Sequence, residues 1–304
     1  LSIFSGLNNL NDISMNFRYA DLCGISEKDL HAYFDQSVRE MAEANGISQE
    51  KCYAKLKDYY DGYHFCEESE DIYNPFSLLN ALSGQRFRDY WYETGTPTFV
   101  VKALRNGKFN LEDLTLEGVP ASALTGVNAD DSDPMPVLYQ SGYLTIQSYD
   151  EQTEEYSLKY PNKEVERGFM QGLANIYVPS ARYNSPFAVR KFADDFKKGD
   201  AEGLMKRFEA FFADADYEIV GDAELYFQNT MYVMCKLMGQ YTQVERHTSN
   251  GRMDIVVQTD KYVYIMELKM DASADEALQQ IEDKGYAKPF AADTRRIFKI
   301  GVGF

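Results

Sequence analysis

Asp254 opens the β-branched run Ile255-Val256-Val257, and Glu267 closes the run Tyr262-Val263-Tyr264-Ile265-Met266, with Lys269 two residues beyond it. Side chains alternate faces along a strand, so Glu267 and Lys269 share one face while Leu268 enters the opposite layer. If Asp260 and Lys261 are the two central residues of a hairpin turn, Asp254 falls directly across from Glu267. Opposed carboxylates repel, which makes a poor structural pair, whereas a hard divalent cation such as Mg²⁺ or Mn²⁺ binds through such oxygens. An ammonium beside them suits the negative charge that develops when a phosphodiester is hydrolysed. The constellation depends on register, since a slip of one residue dismantles it. Asp-Lys is a weaker two-residue turn signal than Asn-Gly or Asp-Gly.

Glu-x-Lys by itself occurs on many solvated helices, so the surrounding elements decide its meaning. Glu224 to Gly239 reads as a helix, Tyr241 to Glu245 as a short strand, and Arg246-His247 as a loop with no ligand spacing. Ala274 to Lys288 reads as a helix carrying Gln279 and Gln280, followed by a strand over Ile297 to Val302. The order is helix, three strands, helix, strand. With Gly251-Arg252-Met253-Asp254 and Ala277-Leu278-Gln279-Gln280-Ile281 added, this segment resembles the PD-(D/E)XK nuclease superfamily, in the branch fused to an AAA-ATPase-like domain.

The resemblance implies a restriction-endonuclease-like α/β core over residues 216–304 that hydrolyses nucleic acid, DNA foremost. It implies Asp254, Glu267 and the main-chain carbonyl of Leu268 as ligands of Mg²⁺ or Mn²⁺, and Lys269 as the residue that orients water and stabilises the phosphate. Glu224 stands where parts of the superfamily carry a further acid, and it equally suits the first turn of a helix. Gln280 is the residue expected to hydrogen-bond the attacking water or a phosphate; Gln279 is the alternative register, and an exposed helix glutamine is the plain reading of either.

Upstream, Ser2-Ile3-Phe4-Ser5-Gly6-Leu7-Asn8-Asn9-Leu10, Tyr60-Asp61-Gly62-Tyr63-His64-Phe65, Tyr73-Asn74-Pro75-Phe76-Ser77, Tyr90-Trp91-Tyr92-Glu93-Thr94-Gly95-Thr96-Pro97 and Tyr139-Gln140-Ser141-Gly142-Tyr143-Leu144-Thr145 resemble that family's ATPase-side and linker motifs. No Gly-x-x-x-x-Gly-Lys-Ser/Thr phosphate loop occurs, and the first residue is Leu, so the expectation is a piece of a longer protein that binds ATP only through an N-terminal region preceding Leu1. The expected class is α+β with an α/β core: residues 1–110 as the end of the ATPase-like module with a helical lid-like region, 111–215 as a middle domain, and 216–304 as the nuclease. An amphipathic helix is expected over Glu27 to Asn45, with Leu30, Phe34, Val38 and Met41 on one stripe and Ser26 as N-cap. Asn128 to Pro136 reads as a loop. Tyr143 to Gln147 and Glu155 to Lys159 read as a winged-helix-like hairpin with an acidic tip, and Asn162 to Tyr177 and Pro186 to Phe212 as helices.

Composition sets the competing readings. The 304 residues carry a net charge of −17, an argument against phosphate binding. The segment from Glu224 onward holds 10 Lys plus Arg against 11 Asp plus Glu, so most of the acid lies elsewhere. Arg246, Arg252, Lys269, Arg295 and Arg296 are available to surround a cleft, with a solvated face preferred for Arg295-Arg296. Cys23, Cys52, Cys66 and Cys235 lack metal-ligand spacing and read as free buried thiols of a cytoplasmic protein. No apolar run reaches the roughly 18 to 20 residues of a membrane span. A metal-dependent nuclease domain is favoured by the intact Asp254, Glu267 and Lys269; a non-catalytic regulatory or interaction module is favoured by the acidity. An ATP-driven switch with its nucleotide site upstream fits either, as does self-association or a protein partner.

Overall fold

The computed structural model describes residues 13, 15–93, 104, 109–111, 118–121, 124, 134–177, 185–213, 223–239, 243–249, 252–269 and 272–303, without side chains at 92–93, 175–176, 185–188, 213, 223–224, 243–249 and 252–254. The motif Ser2 to Leu10, the Thr94 to Pro97 end of the tryptophan motif, Gly251, and the expected loop up to Asp133 lie outside the described residues. The chain divides into two compact units, Leu1–Phe169 and Met170–Phe304. The fold is mixed, with helices and small sheets. No helix of the described residues is long and apolar enough to cross a membrane.

In the first unit, α1 (Glu27–Tyr33) starts in a capping box between Ser26 and Asp29, as the N-cap reading requires. The single helix expected to Asn45 is instead broken at Phe34 (φ −120°, ψ 5°), and α2 (Asp35–Asn45) restarts there. Leu30, Val38 and Met41 are nevertheless fully buried, so the apolar stripe survives the break. α3 (Gln49–Tyr60) and α4 (Pro75–Gly84) complete this core, and α5 (Tyr90–Glu93) follows. Strands β1 (Ile25–Ser26) and β2 (Ile72–Tyr73) pair, and α6 (Met135–Gln140) leads into the last two strands of a three-stranded sheet. In that sheet β3 (Val119–Pro120) and β4 (Thr145–Asp150) flank β5 (Glu155–Lys159); β4 and β5 form the expected hairpin with its exposed acidic tip.

The aromatic motifs act as anchors. The Tyr60 hydroxyl donates to Arg88 O at 2.9 Å, the Tyr73 hydroxyl to Glu27 at 2.6 Å and the Tyr63 hydroxyl to Gly142 O at 3.2 Å. The Thr145 hydroxyl accepts from His64 N and donates to His64 O, both at 2.8 Å, which joins the Tyr60 to Phe65 motif to the Tyr139 to Thr145 motif. Cys52, Cys66 and Cys235 are buried free thiols, but Cys23 is exposed, contrary to the expectation for all four, because the segment Phe17 to Leu22 beside it is itself exposed.

Helix α7 (Lys163–Tyr177) carries in its first turn a fully buried acid, Glu164, which accepts a hydrogen bond from Trp91 N at 2.6 Å and another from Tyr90 N. Burial outweighs these bonds and pushes its carboxyl up to about 7. Folding therefore favours the protonated acid. The associated stability is complete below the ordinary carboxyl value of 4.5 and is lost as pH rises through about 7, an effect of about 3 kcal/mol. The urea midpoint read by Trp91 fluorescence is expected to fall between pH 5 and pH 8, and Glu164→Gln is expected to flatten that fall and exceed the wild type at pH 8. A parallel decline in both proteins would reject this role for Glu164.

The second unit carries α8 (Ser185–Lys198) and α9 (Ala201–Ala213), two helices where one was expected from Pro186 to Phe212. The break falls at Gly199, whose φ of +79° ends the first helix. Next come α10 (Ala223–Met238), β6 (Gln243–Ser249), β7 (Arg252–Gln258), β8 (Tyr262–Lys269), α11 (Ala274–Lys284) and β9 (Arg296–Gly303). The sheet order is β6-β7-β8-β9, with the first two pairings antiparallel and the last parallel. This is the expected helix, three strands, helix, strand order. Two boundaries differ by more than one residue: α11 stops at Lys284 because Gly285 takes φ +66°, and β6 runs on through Arg246 and His247, which the sequence reading leaves in a loop.

Val263 and Ile265 on β8 pack with Ile281 of α11 on one face of the sheet. Tyr264 on the other face meets Phe196 of α8 edge-on, with ring centroids 4.8 Å apart, and its hydroxyl donates to Phe196 O at 2.8 Å. α11 thus covers the face to which odd-numbered β8 residues belong, Glu267 and Lys269 among them.

Candidate active site

β7 and β8 meet through the two-residue connection Asp260-Lys261, and the register pairs Asp254 with Glu267. The weak turn signal is compensated locally. Thr259 N donates to Tyr262 O at 2.9 Å, and Tyr262 N donates to the Thr259 hydroxyl at 3.0 Å. Arg295 then clamps the turn from outside, donating to Thr259 O at 2.9 Å and to the Gln258 side chain at 3.0 Å, while its own fork is held by Asp293. The same fork, more than anything else, holds the Asp293 carboxyl down at about 2.

Arg295 is therefore neither a cleft residue nor a freely solvated one. Arg296 pairs with Tyr262, five rungs from the Glu267–Gly301 pairing, and stacks its guanidinium over Phe298 at 4.6 Å. At about 3.3 Å per residue that is some 16 Å from the acid pair, so neither arginine flanks it. Arg295→Ala is expected to cost about 1–3 kcal/mol through the unsatisfied turn and to weaken any ligand that needs the Asp254–Glu267 register. Urea unfolding and metal titration of the variant measure the two effects; unchanged values for both would reject the clamp.

The rung extends across the whole sheet: His247 on β6 pairs with Asp254, Asp254 with Glu267, and Glu267 with Gly301 on β9. Two rungs on, Ser249, Arg252, Lys269 and Gly303 are aligned in the same way. The acid–acid rung is thus followed by a base–base rung. Sequence periodicity does not reveal the place of His247, because its strand is polar from Glu245 to Ser249 and shows no apolar alternation.

Glu267 is fully buried and Leu268 is 1% exposed, while Lys269 is half-buried at the strand end. The Lys269 ammonium lies close enough to Glu276 to help keep that carboxyl low, though the main causes there are its bonds from Ser273 N and the Ser273 hydroxyl in the α11 capping box. α11 approaches the site edge closely because β9 has no side chain in its way. A Cβ on Gly301 would stand 2.2 Å from Ala274 O, and one on Gly303 would stand 2.1 Å from Ala272 O.

On α11, Ala277 and Ile281 face the sheet. Gln280 is adjacent to that face and half-buried, whereas Gln279 is exposed and donates to Asp283 at 2.9 Å. Glu224 is the second residue of α10. The side chains of Glu224, Asp254 and Arg252 lie outside the described residues; among the described ones no group of three His, Cys, Asp or Glu is assembled for a metal.

Residues 222–304, from the start of α10 to the end of β9, match the sequence model of the PD-(D/E)XK nuclease superfamily. This segment belongs to that superfamily. Membership in the PD-(D/E)XK superfamily suggests a nuclease hydrolase, nucleic-acid binding and, as is general in the superfamily, use of divalent metal. A curated relative, described as an uncharacterized protein in the vnfD 5′ region of Azotobacter chroococcum mcd 1, is 33% identical over 317 aligned residues. The alignment covers 100% of this chain and 58% of the relative, so the chain spans somewhat over half of that relative's length. No solved structure matches the chain.

Proposed function

We propose that the PD-(D/E)XK domain is a metal-dependent phosphodiesterase acting on DNA, in which Asp254, Glu267 and the Leu268 carbonyl hold one Mg²⁺ or Mn²⁺. The observation that carries this reading is the β7–β8 register, an acid pair followed two rungs on by the base pair Arg252 and Lys269. Like charges directly opposed on adjacent strands are unfavourable. A cation at the first rung and a phosphate at the second make both attractive. The donors fit the ion, since carboxylate and carbonyl oxygens suit hard Mg²⁺ or Mn²⁺.

Bound there, the ion supplies a Lewis-acid charge and lowers the pKa of a coordinated water. Glu267, buried on a central strand, offers a carboxylate of fixed direction. Lys269 orients the attacking water and stabilises negative charge on the scissile phosphate. Gln280 hydrogen-bonds that water or a phosphate oxygen. Glu224 adds a further acid, directly or through water, or serves as a first-turn acid of α10.

The upstream motifs support the wider proposal of a cytoplasmic ATPase–nuclease protein with its nucleotide site outside these residues, with self-association or a protein partner compatible. The β4–β5 hairpin supports a winged-helix-like middle domain at 111–215, after a lid-like region to 110. The net charge of −17 favours a second reading, a regulatory module that keeps the fold without cleaving.

Calorimetry with Mn²⁺ and cleavage assays on single- and double-stranded DNA and on RNA, each with and without chelator, separate the two. Metal binding with chelator-sensitive cleavage is expected. Metal binding with no cleavage of any substrate would select the regulatory reading, and failure to bind metal would end the proposal.

A further inference from the structure

The first unit contains a pocket of about 250 Å³ built from the motifs that nuclease chemistry leaves unused. Tyr63 and Phe65 come from the Tyr60 to Phe65 motif, Asn74 from the Tyr73 to Ser77 motif, Trp91 from the tryptophan motif, and Tyr139, Gln140, Ser141, Gly142, Leu144 and Thr145 from the last motif. The hydrogen bonds of Tyr63 to Gly142 and of His64 to Thr145 fix two of these segments to each other. Residues 79 and 81 positions apart are thus joined in one wall, which sequence distance conceals.

The lining restricts the ligand. Tyr63, Phe65, Trp91 and Tyr139 supply ring faces and edges, which favour a flat ring system. Gln140 and Ser141 supply polar edges; Gln140 Nε2 donates to Leu124 O at 3.1 Å. Burial pushes the Tyr139 phenol up to about 12, so it is neutral at physiological pH. No charged side chain lines the pocket among the described residues, so a phosphate or carboxylate seated there would lose water without gaining a counter-charge. The volume is below the roughly 300–1,000 Å³ of pockets for drug-sized ligands, and suits a single ring system.

We propose that this pocket binds one uncharged nucleobase, stacked on the aromatic wall with its hydrogen-bonding edge toward Gln140 and Ser141. The choice of a base among flat heterocycles rests on the nucleic-acid reading of the PD-(D/E)XK domain. Unpaired bases are held in this way, by stacking on aromatic side chains and by amide or hydroxyl contacts to their edges. The base belongs either to a free nucleoside or to a single strand.

Trp91 is the one tryptophan of the chain and lines the pocket, so its fluorescence reports occupancy without a label. The whole chain is titrated in EDTA, with excitation at the red edge of tryptophan absorption. The titrants are nucleosides, short single-stranded DNA, the same strand with abasic sites, and a disaccharide. Saturable quenching by nucleosides or by the intact strand is expected, and none by the abasic strand or the sugar. Nucleoside quenching assigns a free-nucleoside site, and quenching by the strand alone assigns an extruded base.

Ser141→Phe, which fills the pocket, is expected to abolish quenching, and Gln140→Ala to weaken it about 5- to 10-fold. Gln140→Ala decides the matter if Ser141→Phe does not fold. Quenching by the sugar or the abasic strand, quenching indifferent to both substitutions, or no quenching at millimolar titrant would each overturn the proposal. Chelator is present throughout and Asp254→Ala should retain the signal, so failure of the nuclease reading shows separately, as absent metal binding or cleavage.

Discussion

Replacing Asp254 by alanine is expected to abolish Mn²⁺ binding and nucleic-acid cleavage together. Asp254 stands opposite Glu267 in the β7–β8 ladder, and one remaining carboxylate is a poor site for a hard, strongly hydrated ion. Lys269→Ala should separate the two readouts. It removes a positive charge near the acid pair but no ligand, so metal affinity should persist or rise while cleavage falls on the order of 100-fold or more. Both variants should remain folded, because removing a member of a like-charged rung relieves repulsion and leaves no apolar cavity. Unchanged Mn²⁺ affinity in Asp254→Ala would refute a shared ion. Loss of metal binding in Lys269→Ala with the fold intact would show that the lysine organises the acids rather than the phosphate.

Gly301→Ala is expected to destabilise the second unit by more than about 3 kcal/mol, at or beyond the upper end for overpacking. The added Cβ would stand 2.2 Å from Ala274 O, 2.5 Å from Leu278 N and 3.0 Å from Leu278 Cα. All three atoms belong to the α11 backbone and none can turn aside as a side-chain tip would. Either the helix lifts from β9, carrying Gln280 away from the acid rung, or the sheet edge bends. Gly46→Ala provides the control. That residue has φ +64° with nothing within 4 Å of a new Cβ, so it should cost only the left-handed penalty of about 1 kcal/mol. Urea unfolding followed by circular dichroism compares the two. Equal losses would mean that α11 does not rest on Gly301 as closely as these distances state.

The acid rung was legible in the sequence because its determinants are local. The period of two along a strand fixes which face each residue takes, and a two-residue connection fixes the pairing, so Asp254 opposite Glu267 follows from a stretch of 14 residues. The order of elements around it was legible for the same reason, from helix and strand periods. Other features needed the folded chain. β6 is an edge strand with a polar second half, and only the ladder offered by β7 makes a strand of Arg246 and His247. Phe34 keeps its place on the apolar stripe while the helix breaks around it. Arg295 reads as a surface charge until the chain returns it to the turn at Thr259, 36 residues earlier in sequence. Gly301 and Gly303 look like loose ends of a strand, yet they are where α11 lies closest to the sheet. The rung of acids and the lysine two residues on follow from local order alone, since period and turn length act between near neighbours. What clamps that register, how near the glutamine helix can come, and the meeting of four distant motifs in one pocket emerge in the folded chain, because they depend on which remote backbone and side-chain atoms packing brings together.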